Sequence, residues 1–133
     1  MTNAAVIMTS LIVSWLFADS GAVHAENFRR ISGMQIQARF SGMELTDDVH
    51  WRDSFARDGT LISHSMGKRR AGKWRVENDQ LCIELGTDSS GCYEVWLAGA
   101  RVEFRRQGYD GSSLEGRLEK PGSSNQTAKG PRQ

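Results

Sequence analysis

WRDSFARDGTLISHSMGKRRAGKWRVENDQLCIEL, from Trp51 to Leu85, alternates apolar and polar residues and is punctuated by turn residues at Asp58-Gly59 and Asn78-Asp79. Alternation with a period of two is the mark of strands with one buried face, and Asp-Gly is a hairpin signal. A two-residue turn at Asp58-Gly59 sets Phe55 opposite Ile62, Asp53 opposite His64 and Trp51 opposite Met66. Asn78-Asp79 likewise sets Val76 opposite Leu81 and Trp74 opposite Ile83, and a link through Lys68, Arg69 and Arg70 places Met66 beside Trp74.

Downstream, a turn at Ala98-Gly99 sets Val95 against Val102 and Tyr93 against Phe104. These pairings agree on one apolar face, and a slip of one residue would turn a whole strand over. The opposite face carries His50, Arg52, Lys73, Arg75, Glu84, Glu94, Arg101 and Glu103, a solvated surface. Leu114, Gly116 and Leu118, alternating with Glu115, Arg117 and Glu119, supply a final strand, and Met43 to Thr46 a first one. Upstream, Ser32 and Gln35 have the spacing of a capping box, Ile31 and Ile36 that of a hydrophobic staple. Ile36 and Phe40 share a helical face and Gly42 stands at the C-terminal cap, which predicts one short helix over Gly33 to Ser41. The expected fold is mainly β: an antiparallel meander of seven or eight strands, forming a small curled or closed barrel with the N-terminal helix against an open end.

The same register places Cys82 and Cys92, the only two cysteines, directly opposite each other with Gly86 to Gly91 as the connection. Facing Cα atoms in an antiparallel pair lie within reach of a disulfide. A zinc site needs more ligands of the right kind, and redox pairs use Cys-x-x-Cys, so neither a metal nor a cofactor is expected.

The chain of 133 residues has room for one domain. Residues 1–25, MTNAAVIMTSLIVSWLFADSGAVHA, read as a signal peptide with an apolar run from Ala4 to Ala18 and cleavage after Ala25. That run is shorter than the roughly 20 residues of a membrane span, so no stable span is expected after cleavage; an uncleaved anchor is the alternative. Residues 26–118 form the β-rich domain, and residues 119–133, without a large apolar side chain, a disordered polar tail containing a glycosylation sequon at Asn125. The formal charge is +1, and +2 once Asp19 leaves with the leader, a balance that argues against nucleic acid as a main partner. Export implies a periplasmic or secreted location, where a disulfide persists.

Three groups are candidates for function. Asp53 and His64, paired on the apolar face, have the makings of a general base with its orienting carboxylate, of a polar spot in a ligand cavity, or of two groups satisfying each other. Lys68, Arg69 and Arg70 suit an anionic surface or a solvated hairpin tip. Trp96 beside Arg101 on the outer face suits a cation–π contact or a protein-binding anchor.

The run from Asp47 to Phe104 resembles a group of small exported proteins of uncharacterised function in Gram-negative bacteria, particularly alphaproteobacteria. The resembling elements are the Trp51 strand before Asp58-Gly59, Gly72-Lys73-Trp74 followed by Leu81-Cys82, and the strand Cys92-Tyr93-Glu94-Val95-Trp96. A looser likeness, carried by Gly72-Lys73-Trp74 and Cys82, is to lipocalin-like bacterial metalloprotease inhibitors, although Glu26 to Ile31 shows no equivalent of their inhibitory arm. The first resemblance implies export without a stated activity. The resulting expectation is a non-enzymatic binding domain of the cell envelope, working on an envelope protein or a small ligand through the barrel mouth or the Trp96 patch. The alternatives are a protease inhibitor and an enzyme using Asp53 and His64.

Overall fold

A computed structural model describes residues 27–87, 90–106 and 114–123. The expected leader, the end of the tail and the sequon at Asn125 lie outside the described residues. A short strand β1 (Arg29–Arg30) precedes helix α1 (Gly33–Phe40), and eight strands follow: β2 (Met43–Thr46), β3 (Trp51–Phe55), β4 (Thr60–Ser65), β5 (Lys68–Glu77), β6 (Gln80–Glu84), β7 (Gly91–Ala98), β8 (Arg101–Arg105) and β9 (Leu114–Glu119).

Each of β2 to β9 pairs antiparallel with the next, and β9 returns to β2 through Leu45 opposite Leu118. The meander therefore closes into an eight-stranded barrel. Closure removes the unpaired edges that an open sheet of this sequence would expose. β1 adds outside the barrel, on the half of β7 beyond the reach of β6, with Arg30 opposite Trp96. The barrel is filled by alternate residues of successive strands: Leu45, Phe55, Leu61, Trp74, Leu81, Ile83, Val95, Val102 and Phe104 are buried.

The helix forms where its caps predict. The Ser32 hydroxyl accepts from the Gln35 N–H at 3.4 Å, and the Gln35 side chain accepts from the Ser32 N–H at 3.0 Å. Asp79, in the β5–β6 turn, accepts from the Gly33 N–H at 2.7 Å and fixes the helix to the barrel. Its apolar face is driven inward: Ile36 and Phe40 are fully buried, and the Phe40 ring meets Phe55 edge-on at 5.1 Å and stacks over Phe104 at 6.1 Å. Gly42, at φ +75°, turns the chain into β2, donating its N–H to the Phe55 carbonyl at 2.7 Å. The helix thus plugs the end of the barrel that carries the β3–β4 and β5–β6 turns. The opposite end is formed by the β2–β3 loop, the β4–β5 turn and the starts of β7 and β9.

Three of the expected registers change in the structure. At the β3–β4 hairpin the loop contains three residues, Arg57, Asp58 and Gly59, closed by hydrogen bonds between Ala56 and Thr60 and from the Gly59 N–H to the Ala56 carbonyl, with Gly59 at φ +90°. The additional residue moves the register by one, so Phe55 faces Leu61, Asp53 faces Ser63, Arg52 faces His64 and Trp51 faces Ser65. Every β4 side chain changes face, and Leu61 rather than Ile62 becomes core.

The β4–β5 turn is Met66-Gly67, both with positive φ as a tight hairpin requires, so Met66 sits at a tip and not beside Trp74. Lys68, Arg69 and Arg70 are consequently the first residues of β5. At β7–β8 the turn is Gly99-Ala100, and Val95 faces Phe104 while Leu97 faces Val102. This shift of two keeps every side chain on its expected face. The Asn78-Asp79 hairpin pairs Trp74 with Ile83 and Val76 with Leu81 as expected.

Candidate functional site: the open end of the barrel

Ser63 and Ser65 point inward near the unplugged end because the three-residue loop gives β4 this parity, and Asp53 joins them from β3. Arg70 enters from β5, two strands from Asp53. Opposite this polar side stand Ile83 from β6 and Leu85 just past its end, Tyr93 from β7, Phe104 from β8 and Leu114 from β9, with Trp51 at the edge. Together they line a cavity of about 310 Å³ that is polar on one wall and aromatic and aliphatic on the other.

Local packing holds both walls in place. Tyr93 stacks on Phe104 at 5.7 Å, and Arg106 lies 5.2 Å from the Tyr93 ring and donates to its hydroxyl at 3.3 Å. Gly91 is needed for that arrangement, since a Cβ there would fall 2.4 Å from the Arg106 guanidinium. Gly116 lets the Trp51 ring lie against β9, where a Cβ would approach it to 2.9 Å.

Asp53 is the most unusual group. Its carboxylate is hydrogen-bonded to the Ser63 side chain, yet Oδ1 is buried without a hydrogen-bond partner among the described residues. Burial pushes its carboxyl above the ordinary carboxylate range, against the lowering effects of the Ser63 hydrogen bond and of the Arg70 and His64 charges. A buried acceptor left in this state is costly, and a donor supplied to it restores the missing interaction.

The other sequence candidates separate. His64 stands on the outer face opposite Arg52 and Arg69, exposed, so the facing Asp53–His64 pair does not form. Its register depended on a two-residue turn, and the third loop residue turned His64 outward. Trp96 is on the outer face as expected, but its cation is Arg105, 4.0 Å from the ring, rather than Arg101. Arg101 lies opposite Ala98 and Arg117 and is bonded to Glu115 at 3.2 Å. Trp96 is also half-covered, its indole donating to Glu94 at 3.3 Å. All three residues of the basic run are exposed, and of them Arg70 lines the cavity. Cys82 and Cys92 are opposite each other and joined in a disulfide, with Cys82 buried.

Leu85 was not singled out by the sequence, and the two-residue register puts Ser63 and Ser65 on the outer side of β4, away from the lumen they line. The available signal was Leu61-x-Ser63-x-Ser65, whose alternation places two serines beside an apolar residue once Leu61 is assigned to the core. Among the described residues, no group of three or more His, Cys, Asp or Glu is placed to hold a metal ion, and no helix is long and apolar enough to cross a membrane. The chain matches no protein-family model, no curated protein and no solved structure.

Proposed function

We propose that this protein is an exported binding domain of the cell envelope that holds a small amphipathic molecule in the barrel mouth. The supporting observation is the Asp53 carboxylate, with one buried oxygen that has no partner among the described residues, beside a cavity whose other wall is apolar. A ligand with a flat or short apolar body fills the space between Trp51, Ile83, Leu85, Tyr93 and Phe104, and one hydrogen-bond donor on its edge reaches Asp53. Apolar contact supplies most of the affinity and the single polar partner fixes orientation.

The test uses N-phenyl-1-naphthylamine, an aromatic fluorophore with one N–H. Saturable fluorescence enhancement at one molecule per chain is expected. Asp53→Ala should weaken it by roughly tenfold, the scale of one hydrogen bond to a charged group, and Ser65→Trp, which fills the mouth from its rim, should abolish it. Binding unchanged by both substitutions would place the probe elsewhere and remove the proposal.

A further inference from the structure

Three of the four large apolar residues exposed among the described residues gather at the open end of the barrel. Val49 on the β2–β3 loop is 79% exposed, Met66 at the β4–β5 turn 76% and Leu114 at the start of β9 46%; the fourth, Met34, is on the helix at the plugged end. Val49 and Met66 border one surface hollow together with His50, Trp51, His64 and Gly67, and the Met66 N–H donates to the His50 carbonyl at 3.1 Å, which ties the two tips together. Trp51 also borders the cavity lined by Leu114, so the apolar positions follow one rim.

Positive charge flanks the same rim. Lys68 and Arg69 follow the Met66-Gly67 turn and are exposed, with no ion-pair partner among the described residues. Arg69 stands beside His64 on the outer face of β4 and β5, while Arg52, one strand further on β3, is ion-paired with Glu44. Of the carboxylates in the β2–β3 loop, Asp47 is engaged by the His50 ring and by three backbone N–H groups, which leaves Asp48 as the exposed one.

We infer that the open end of the barrel docks on an anionic lipid bilayer, with Val49 and Met66 entering the headgroup region and Lys68 and Arg69 meeting the lipid phosphates. Exposed apolar tips beside unpaired cations suit an interface that is apolar just below a negatively charged surface. A soluble polyanion would use the cations and leave Val49 and Met66 without a role. Trp51, at the junction between rim and cavity, is the residue type that settles at the headgroup level. This orientation points the cavity into the membrane. An amphipathic ligand then passes between bilayer and barrel without crossing water.

The chain from Glu26 onward, which carries every described element, is sedimented with vesicles of phosphatidylcholine alone and of phosphatidylcholine mixed with phosphatidylglycerol. Binding to the mixed vesicles only, weakened by high salt, is expected. Lys68→Glu with Arg69→Glu should lower the partition coefficient by roughly tenfold or more, since each cation near such a surface contributes on the order of a fivefold effect. Val49→Ser with Met66→Asn should lower it comparably, and Asn accommodates the left-handed backbone at position 66. Met34→Ser, at the plugged end, should leave it unchanged. Absence of binding to the mixed vesicles, or binding indifferent to either double substitution, overturns the inference. So does retention on heparin without vesicle binding, which assigns the rim to a soluble polyanion.

Discussion

Asp53 and Ser63 face each other across β3 and β4 inside the barrel, and the carboxylate keeps one buried oxygen without a partner among the described residues. The pair links the ligand proposal to a measurable property of folding. Burial raises the folded-state carboxyl above its unfolded value, so the folded chain binds the proton more tightly. The associated stability is fully present below the ordinary carboxylate range and is lost as pH rises through the folded value. Asp53→Asn removes this dependence and should raise the melting temperature near neutral pH by a few degrees, the scale of about 1 kcal/mol in a small domain. A larger gain over the wild type at pH 4 than at pH 7 would be the wrong sign.

Asp47 is expected to behave in the opposite way. Burial works to raise its carboxyl, but the backbone N–H groups of Trp51 and His50, the His50 ring and the Val49 N–H outweigh it and hold the group well below the ordinary carboxylate range. Stability from these bonds is present above the unfolded value and disappears as pH falls through the folded one. Asp47→Ala should therefore destabilise the protein at pH 7 and make it less sensitive to acid between that pH and the acid limit. Urea melts of both proteins across this range provide the comparison.

Reducing the disulfide should cost stability without changing the fold. Cys82 and Cys92 are ten residues apart in the chain, and closing a loop of this length stabilises by about 2–3 kcal/mol in the chain-entropy model. Cys82→Ala with Cys92→Ala should shift the urea midpoint accordingly while the circular dichroism spectrum is retained.

The helix plug predicts a heavier loss. Phe40 is fully buried between Phe55 and Phe104, so Phe40→Ala should destabilise by about 3–5 kcal/mol. Hydrogen exchange should show that the loss includes β3 and β8, where those two partners reside, and not the helix alone.

Gly72 marks a close crossing of two backbones. A Cβ there would stand 2.1 Å from the Glu84 carbonyl oxygen, and backbone cannot rotate out of the way. Gly72→Ala should cost about 1–3 kcal/mol or more, and because Leu85 adjoins the same point, it should also weaken binding of the naphthylamine probe. Unaltered stability would show that the strands separate freely at this position.

The meander, the helix and its caps, the Trp74–Ile83 pairing and the facing cysteines were legible in the residues because each rests on local information. Alternation assigns faces, capping chemistry marks helix ends, and Asn78-Asp79 sets one register without ambiguity. The β3–β4 register was not legible, because Asp58-Gly59 serves a two-residue turn and the last two positions of a three-residue loop equally well. One residue of difference turned His64 out of the barrel and brought Ser63 and Ser65 in.

Strand pattern and caps are properties of neighbouring residues, and the chain itself therefore established a β meander with one apolar face, a capped helix and a disulfide. Closure of β9 onto β2, the choice of which end the helix plugs and the meeting of Asp53 with Tyr93 and Phe104 across the lumen are long-range outcomes. They depend on how the whole apolar face is filled at once, with Phe40 taking one end and leaving the other open. The candidate site exists at that second end, where residues far apart in sequence meet because the barrel has closed.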